Sequence, residues 1–485
     1  MSKLKAFIGE TLVYGFANVF SRVFAMLLIP LYKDLGKDVY SNLVMLQSTF
    51  SVLAFMMALN SGVFYYYYEY EKMRYRKLIF TSWFYYQITI ALFIFAMLFL
   101  FRGPVAELFI VTDTNLWELE TALVLIGVQF FPYIFNITNI NLFRIDRKPR
   151  LVMYITLLEA AFTLLFVWGG ITFYDFGLVE IVAAQIAART IVASLFMKSA
   201  GLYIKILNFS AKMLQRLLAF SWPFFIISAF SWAIISLDKF IGADLLPNKD
   251  DVALLALAMQ LSLPIAVLAD MIRMAIGPFV MSIRKEEDAD KSYQQVFDLS
   301  VFSGLGVLLA LIVFSPLLIY VLADHTFLEV LKVLPLIALA SVISLIANQF
   351  AISFSLQKKN VYILYATVLG GIIGFVINYA FMPGHGFIVA GISQIVSYII
   401  MAIFLFVIGK RITELRLNLK LSLILLSIIT AYIVFLFLIM ETTLQENYLP
   451  MIGGGILVGI AIIFIYLKSQ NLTIKSLLNS VLKRK

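Results

Sequence analysis

From Phe7 onward, apolar runs of twenty or more residues alternate with short polar breaks such as "RIDRKPR" (144–150) and "RKEEDADKSYQQ" (284–295). A helix that spans a bilayer needs about 20 mostly apolar residues. The pattern predicts fourteen such spans, at 7–32, 42–66, 78–101, 116–142, 151–172, 178–203, 218–243, 252–283, 297–322, 330–356, 361–382, 387–409, 421–440 and 449–468. An even number of spans puts both termini on one side. The expected fold class is an all-α, multi-pass membrane protein.

Composition agrees with the pattern. Hydrophobic residues make up 62% of the 485 and charged residues 13%, where a soluble chain is about a quarter charged. The mean hydropathy is +0.97. The first apolar run continues past Tyr32 and is too long for the core of a cleavable signal peptide. With no cysteine there is no disulfide, thiolate nucleophile or cysteine-ligated metal. His325 and His385 fall in polar breaks, away from any proton relay within the spans.

The basic residues set the orientation. With the N-terminus inside, the inner segments carry 28 Lys and Arg, and the outer ones carry five: Lys33, Lys37, Arg102, Lys249 and Lys332. That asymmetry is the positive-inside signal and places both termini in the cytoplasm. Spread over separate loops, the basic charge does not form a nucleic-acid surface. The outer loops are too short for a catalytic domain, and no phosphate-binding glycine loop is present. No cofactor is expected, and a membrane polymerase or ligase is disfavoured, because it would need a substantial outer loop.

Two halves resemble one another. "FGLVEIVAAQIAA" (176–188) aligns with "HGFIVAGISQIVS" (385–397), with Gly177 and Gln185 on Gly386 and Gln394, at an offset of 209. Arg147-Lys148 recurs as Lys358-Lys359 at an offset of 211, and the second span recurs as the eighth at 212. Six spans per repeat is an even number, so the halves share one orientation, related by an axis along the membrane normal. The expected organisation is a six-helix lobe over 1–203, an interlobe linker over 204–217, a second lobe over 218–409, and two extra helices with a basic tail over 410–485.

Charges within the spans are the candidate chemistry. Each central charge costs about 2.5–3.5 kcal/mol on insertion scales, so such groups face a bundle interior or a water-filled cavity. Among them are the basic Arg22, Arg189, Lys239 and Arg273 and the acidic Glu10, Glu159, Glu180, Asp238, Asp270 and Asp298. Glu10, Glu180 and Asp298, near span ends, read as structural. Asp270 and Arg273 are three apart on one helix face, able to pair locally or to line a cavity. Glu159 has no partner in its own span, and Arg189, near mid-depth, is open between packing and function. Arg22 and Lys239 occupy the first span of each repeat, which favours a shared aqueous cavity. Asp238 and Lys239 are adjacent, about 100° apart on a helix, so Lys239 can face that cavity while Asp238 turns toward a neighbouring helix or a bound ion.

Seven prolines fall within spans, at 30, 132, 223, 264, 278, 316 and 335, and proline kinks a helix. "SGVFYYYYEYEKMRYRK" (61–77) reads as an interfacial aromatic belt with an inner basic anchor. Gly370-xxx-Gly374 and Gly455-xxx-Gly459 permit close helix approach.

"GETLVYGFANVFSRVFAMLLIPLY" (9–32), residues 236–288 and residues 335–400 resemble, in order, bacterial polysaccharide flippases of the multidrug/oligosaccharidyl-lipid/polysaccharide (MOP) exporter superfamily. The resemblance implies two six-helix lobes plus two helices, a MATE-like arrangement. It also implies flipping of undecaprenyl-pyrophosphate-linked oligosaccharides across the bacterial cytoplasmic membrane by alternating access. Membrane lipids and the lipid-linked oligosaccharide are then its partners. Coupling would be to the substrate gradient or to an H+ or Na+ gradient. It places Arg22, Lys239 and Arg273 on the cavity lining, where cations stabilise a pyrophosphate. Asp238 and Asp270 serve ion coupling or pairing, and Arg189 lies off that lining. A peptidoglycan-precursor flippase and a cation or drug antiporter of the same superfamily are the alternatives.

Overall fold

The computed structural model describes residues 20–21, 23–33, 35–57, 60–70, 72–109, 115–146, 148–201, 204, 208–248, 250–269, 271–272, 289–323, 325–357, 359–412, 417–440 and 448–469. Among the described residues all regular structure is helical. In hydrocarbon a backbone N–H finds no water, and a helix pairs every such group within its own segment.

The helices are α1 (Val23–Tyr32), then α2 (Lys37–Phe55), α3 (Asn60–Glu69), α4 (Met73–Leu100), α5 (Arg102–Phe109), α6 (Leu116–Ile145), α7 (Pro149–Tyr174) and α8 (Leu178–Gly201). There follow α9 (Ala211–Leu245), α10 (Asp251–Leu261), α11 (Ala289–Leu322), α12 (Leu334–Leu356), α13 (Val361–His385), α14 (Ile388–Ile412), α15 (Lys420–Met440) and α16 (Leu449–Ser469). Among the described residues twelve helices are long and apolar enough to cross a membrane, and they coincide with the third to fourteenth expected spans.

The other two expected spans differ. Most of 7–32 lies outside the described residues. The stretch read as one span over 42–66 is two helices, α2 and α3. The second opens with Asn60-Ser61-Gly62, weak helix formers, at a point where the chain is drawn against α9. There the Gly62 N–H donates to the Ser221 hydroxyl at 3.1 Å, and a Cβ on Gly62 would lie 2.7 Å from that oxygen. In the eighth span, α10 gives way to a turn at Ser262, just before Pro264, and helix resumes to residue 269. Proline lacks the N–H that would continue the ladder. Part of the segment read as a linker is helical, because α9 begins at Ala211, capped by the Ser210 side chain, which accepts the Met213 N–H.

By its contacts the chain divides into two units, one of residues 1–256 and 367–387, the other of 257–366 and 388–485. In the first, α6 is the central post, packed most extensively on α8 and also on α4, α5 and α7. The long α9 packs against α2, α3, α4 and α5 of the same unit. In the second, α12 packs most extensively on α14, and α11 on α12, α15 and α16. The principal pairing of each unit thus joins spans four and six, or spans ten and twelve, six spans further on. On α16, a Cβ at Gly455 would lie 2.3 Å from a Val313 methyl of α11, so the expected small-residue contact is made there.

Candidate functional site

The turn between α7 and α8 sets the register of the first unit's charged site. Asp175 takes the left-handed conformation, φ 52°, and its N–H reaches back to the Gly170 carbonyl. The Phe176 ring lies over Gly170, where a Cβ would be 2.0 Å from it. At the start of α8 the Glu180 carboxylate accepts the Gly177 N–H at 3.1 Å, a side-chain cap on an unpaired helix-end donor. Glu180 is therefore structural, as its place near a span end suggests.

From this tight turn the two helices run back antiparallel. Glu159 lies about 22 Å along α7 from the turn and Arg189 about 17 Å along α8, at 1.5 Å per residue. That mismatch is one helical turn, within reach of both side chains. Arg189 Nε donates to Glu159 Oε1 at 2.7 Å, with the two side chains 21% and 24% exposed. From α6, the buried Asn136 amide donates to Glu159 Oε2 and to the Arg189 carbonyl, both at 3.2 Å. From α2, the Phe50 ring lies under the guanidinium, 4.6 Å from Cζ. Phe50 in turn stacks on Phe130 at 4.5 Å and meets Tyr133 edge-on at 5.3 Å. One turn further along, Gln129 Nε2 donates to Gln185 Oε1 at 3.4 Å.

The four helices α2, α6, α7 and α8 thus meet in one polar knot inside an apolar bundle. Carboxylate, amide and aromatic face together offset the cost of placing a guanidinium there. Arg189 Nη1 and Asn136 Oδ1 are enclosed without a hydrogen-bond partner. Glu159 therefore has a partner after all, on the next helix. A cross-turn count of depth from Asp175 is the sequence signal that finds it.

Asp238 and Lys239 lie in α9, both buried, at 0% and 4% exposure. The Asp238 carboxylate turns back to its own helix and accepts the Lys239 backbone N–H at 2.8 Å. Lys239 was expected on the wall of an aqueous cavity. In this conformation its side chain is instead enclosed. Arg22, Asp270 and Arg273 lie outside the described residues, as do Glu10 and Pro278. Asp298, buried at 6%, accepts from Gln294 Nε2 at 2.9 Å, a bond one turn apart that fits its structural reading. Among the described residues no cluster of three or more His, Cys, Asp or Glu side chains could hold a metal ion.

Comparison with known proteins adds a family match over part of the chain and a fold. The family model described as "Polysaccharide biosynthesis protein" matches residues 70–287. No curated protein matches the chain. Among solved structures, the lipid II flippase MurJ in an inward closed conformation superposes with a TM-score of 0.75 at 13% identity, covering 95% of this chain and 99% of that one. An inward-facing multidrug-resistance MATE family transporter of the MOP superfamily superposes with a TM-score of 0.67 at 14% identity, over 81% of this chain and 94% of that one. A MOP superfamily transporter from Pyrococcus furiosus, whose binding pocket is described as reversed in polarity, gives 0.58 at 13% identity over 84% and 95%. The match over residues 70–287 and the shared fold agree with the resemblance read from the sequence.

Proposed function

We propose that this chain is a transporter that flips undecaprenyl-pyrophosphate-linked oligosaccharide units across the bacterial cytoplasmic membrane by alternating access, for surface polysaccharide biosynthesis. The observation that carries the reading is the match of residues 70–287 to a polysaccharide biosynthesis protein family, on a chain with the MurJ and MATE fold. Among the charges that the resemblance assigns to the cavity or its coupling, the balance supports an anionic cargo. Arg22, Lys239 and Arg273 outnumber Asp238 and Asp270, and cations in a low-dielectric site stabilise a pyrophosphate. An H+ or Na+ gradient, or the substrate gradient, supplies the work, and both termini face the cytoplasm.

The test is surface polysaccharide in cells complemented with variants, normalised to protein level. Replacing Arg22 or Arg273 with Ala abolishes export while insertion is kept, since removing a central charge eases insertion. Arg→Lys restores part of it, keeping charge without the bidentate fork. Normal export from a well-expressed Arg22→Ala, Arg273→Ala protein would overturn the anionic cargo. A cation antiporter gives the reverse pattern, with Asp238 and Asp270 essential. The nearly full-length overlay on MurJ favours a peptidoglycan-precursor flippase as the second reading. Rescue of cells depleted of their lipid II flippase, with no effect on surface polysaccharide, would establish that one instead.

A further inference from the structure

The tyrosine-rich stretch between α3 and α4 does more than mark an interface. Tyr70 collects two arginines from different helices. Arg76 Nε of α4 donates to the Tyr70 carbonyl at 3.0 Å, and its guanidinium lies over the Tyr67 ring at 4.3 Å. Arg216 Nη1 of α9 donates to the Tyr70 hydroxyl at 2.7 Å. The Tyr70 ring is itself held by stacking on Tyr66 at 6.2 Å and Tyr75 at 5.1 Å.

Beneath lies a dry floor of Val63, Tyr67, Ile79, Phe80, Leu142, Met213 and Leu217, which ties α3, α4, α6 and α9 into one body. Among the described ion pairs neither arginine has a carboxylate partner. Glu69 and Glu71 are the acids of this stretch; Glu69 acts on the neighbouring Tyr66, as Arg216 does, and Glu71 lies outside the described residues. Lys72, Arg74 and Lys212, close in sequence to these arginines, are exposed.

Two guanidinium groups are thus oriented by neutral tyrosine groups. The two bonds take one N–H from each guanidinium, out of five apiece. Oriented forks of this kind match the oxygens of a phosphate. The place decides which phosphate. The stretch lies where the span Met73–Leu100 begins and where Leu116–Ile145 ends, the depth at which lipid headgroups sit. It is also the side on which the sequence concentrates basic charge.

We propose that Arg76 and Arg216, oriented about Tyr70, bind the phosphate of an anionic phospholipid headgroup at this membrane face. Exposed Tyr68 and Tyr75, 60% and 41% accessible, lie beside it. The site is independent of what the chain transports.

The experiment uses the full chain in nanodiscs of phosphatidylcholine and phosphatidylglycerol, followed by mild detergent extraction and native mass spectrometry of the retained lipid. The parent protein retains phosphatidylglycerol preferentially. Arg76→Gln and Arg216→Gln each lower that retention about fivefold, the worth of one basic group at an anionic surface. Arg76→Lys and Arg216→Lys retain an intermediate amount and exclude misfolding as the cause. The control Lys410→Gln, Arg411→Gln removes two charges from the end of α14 and changes nothing. Equal retention in the Gln variants, or an equal loss in the control, would overturn the proposal. So would displacement of the lipid by millimolar inorganic phosphate, which would identify a free-phosphate site instead.

Discussion

Arg189 on α8 and Glu159 on α7 form a 2.7 Å ion pair inside the first unit, bound from the side by Asn136 of α6 and from below by the Phe50 ring of α2. The pair is about four-fifths enclosed, and its members depend on each other. Removing one partner of a buried pair costs about 3–5 kcal/mol, because a lone charge is left in a poorly solvated place; a fifth of exposure puts Arg189→Met and Glu159→Leu toward the lower end. The double variant should be more stable than the sum of the singles implies. Thermal unfolding of the four proteins in one detergent measures the coupling. Additive losses would mean that the pair is not an energetic unit.

Gly170 sets the turn that brings this pair into register. Gly170→Leu forces a side chain into the Phe176 ring, 2.0 Å from the first added carbon, and overpacking of this kind costs about 1–3 kcal/mol. Gly170→Ala should lose less, and adding Phe176→Ala should restore much of that loss. An unchanged melting temperature in Gly170→Leu would show that the turn adjusts freely.

The absence of cysteine makes single-cysteine labelling free of background. Cysteine at Ser292 should react with a membrane-impermeant maleimide only from the cytoplasmic side, and cysteine at Asn248 only from outside. Labelling of both from one side would overturn the assigned topology. Lys239→Cys tests burial in the same assay. With 4% exposure at that position, it should react far more slowly than the Asn248 variant. Fast labelling in the resting protein would return Lys239 to a water-lined wall.

Much of the fold was legible because membrane insertion is a nearly local problem. Each segment must satisfy its own backbone and meet hydrocarbon with its own side chains, so length and hydropathy suffice to locate it. That is why twelve spans were read at their observed places. The second span was misread for a tertiary reason: hydropathy does not register that Gly62 is drawn onto Ser221 of a helix 159 residues away.

The charged residues divide in the same way. Their presence in the spans, and the structural reading of Glu180 and Asp298, follow from sequence position and near neighbours. The pairing of Glu159 with Arg189, the enclosure of Lys239 and the gathering of Arg76 and Arg216 about Tyr70 do not. A long side chain reaches several ångströms in a direction set by helix rotation. Rotation is decided by which neighbouring helix fills the other faces, and the chain order of apolar runs carries no record of that.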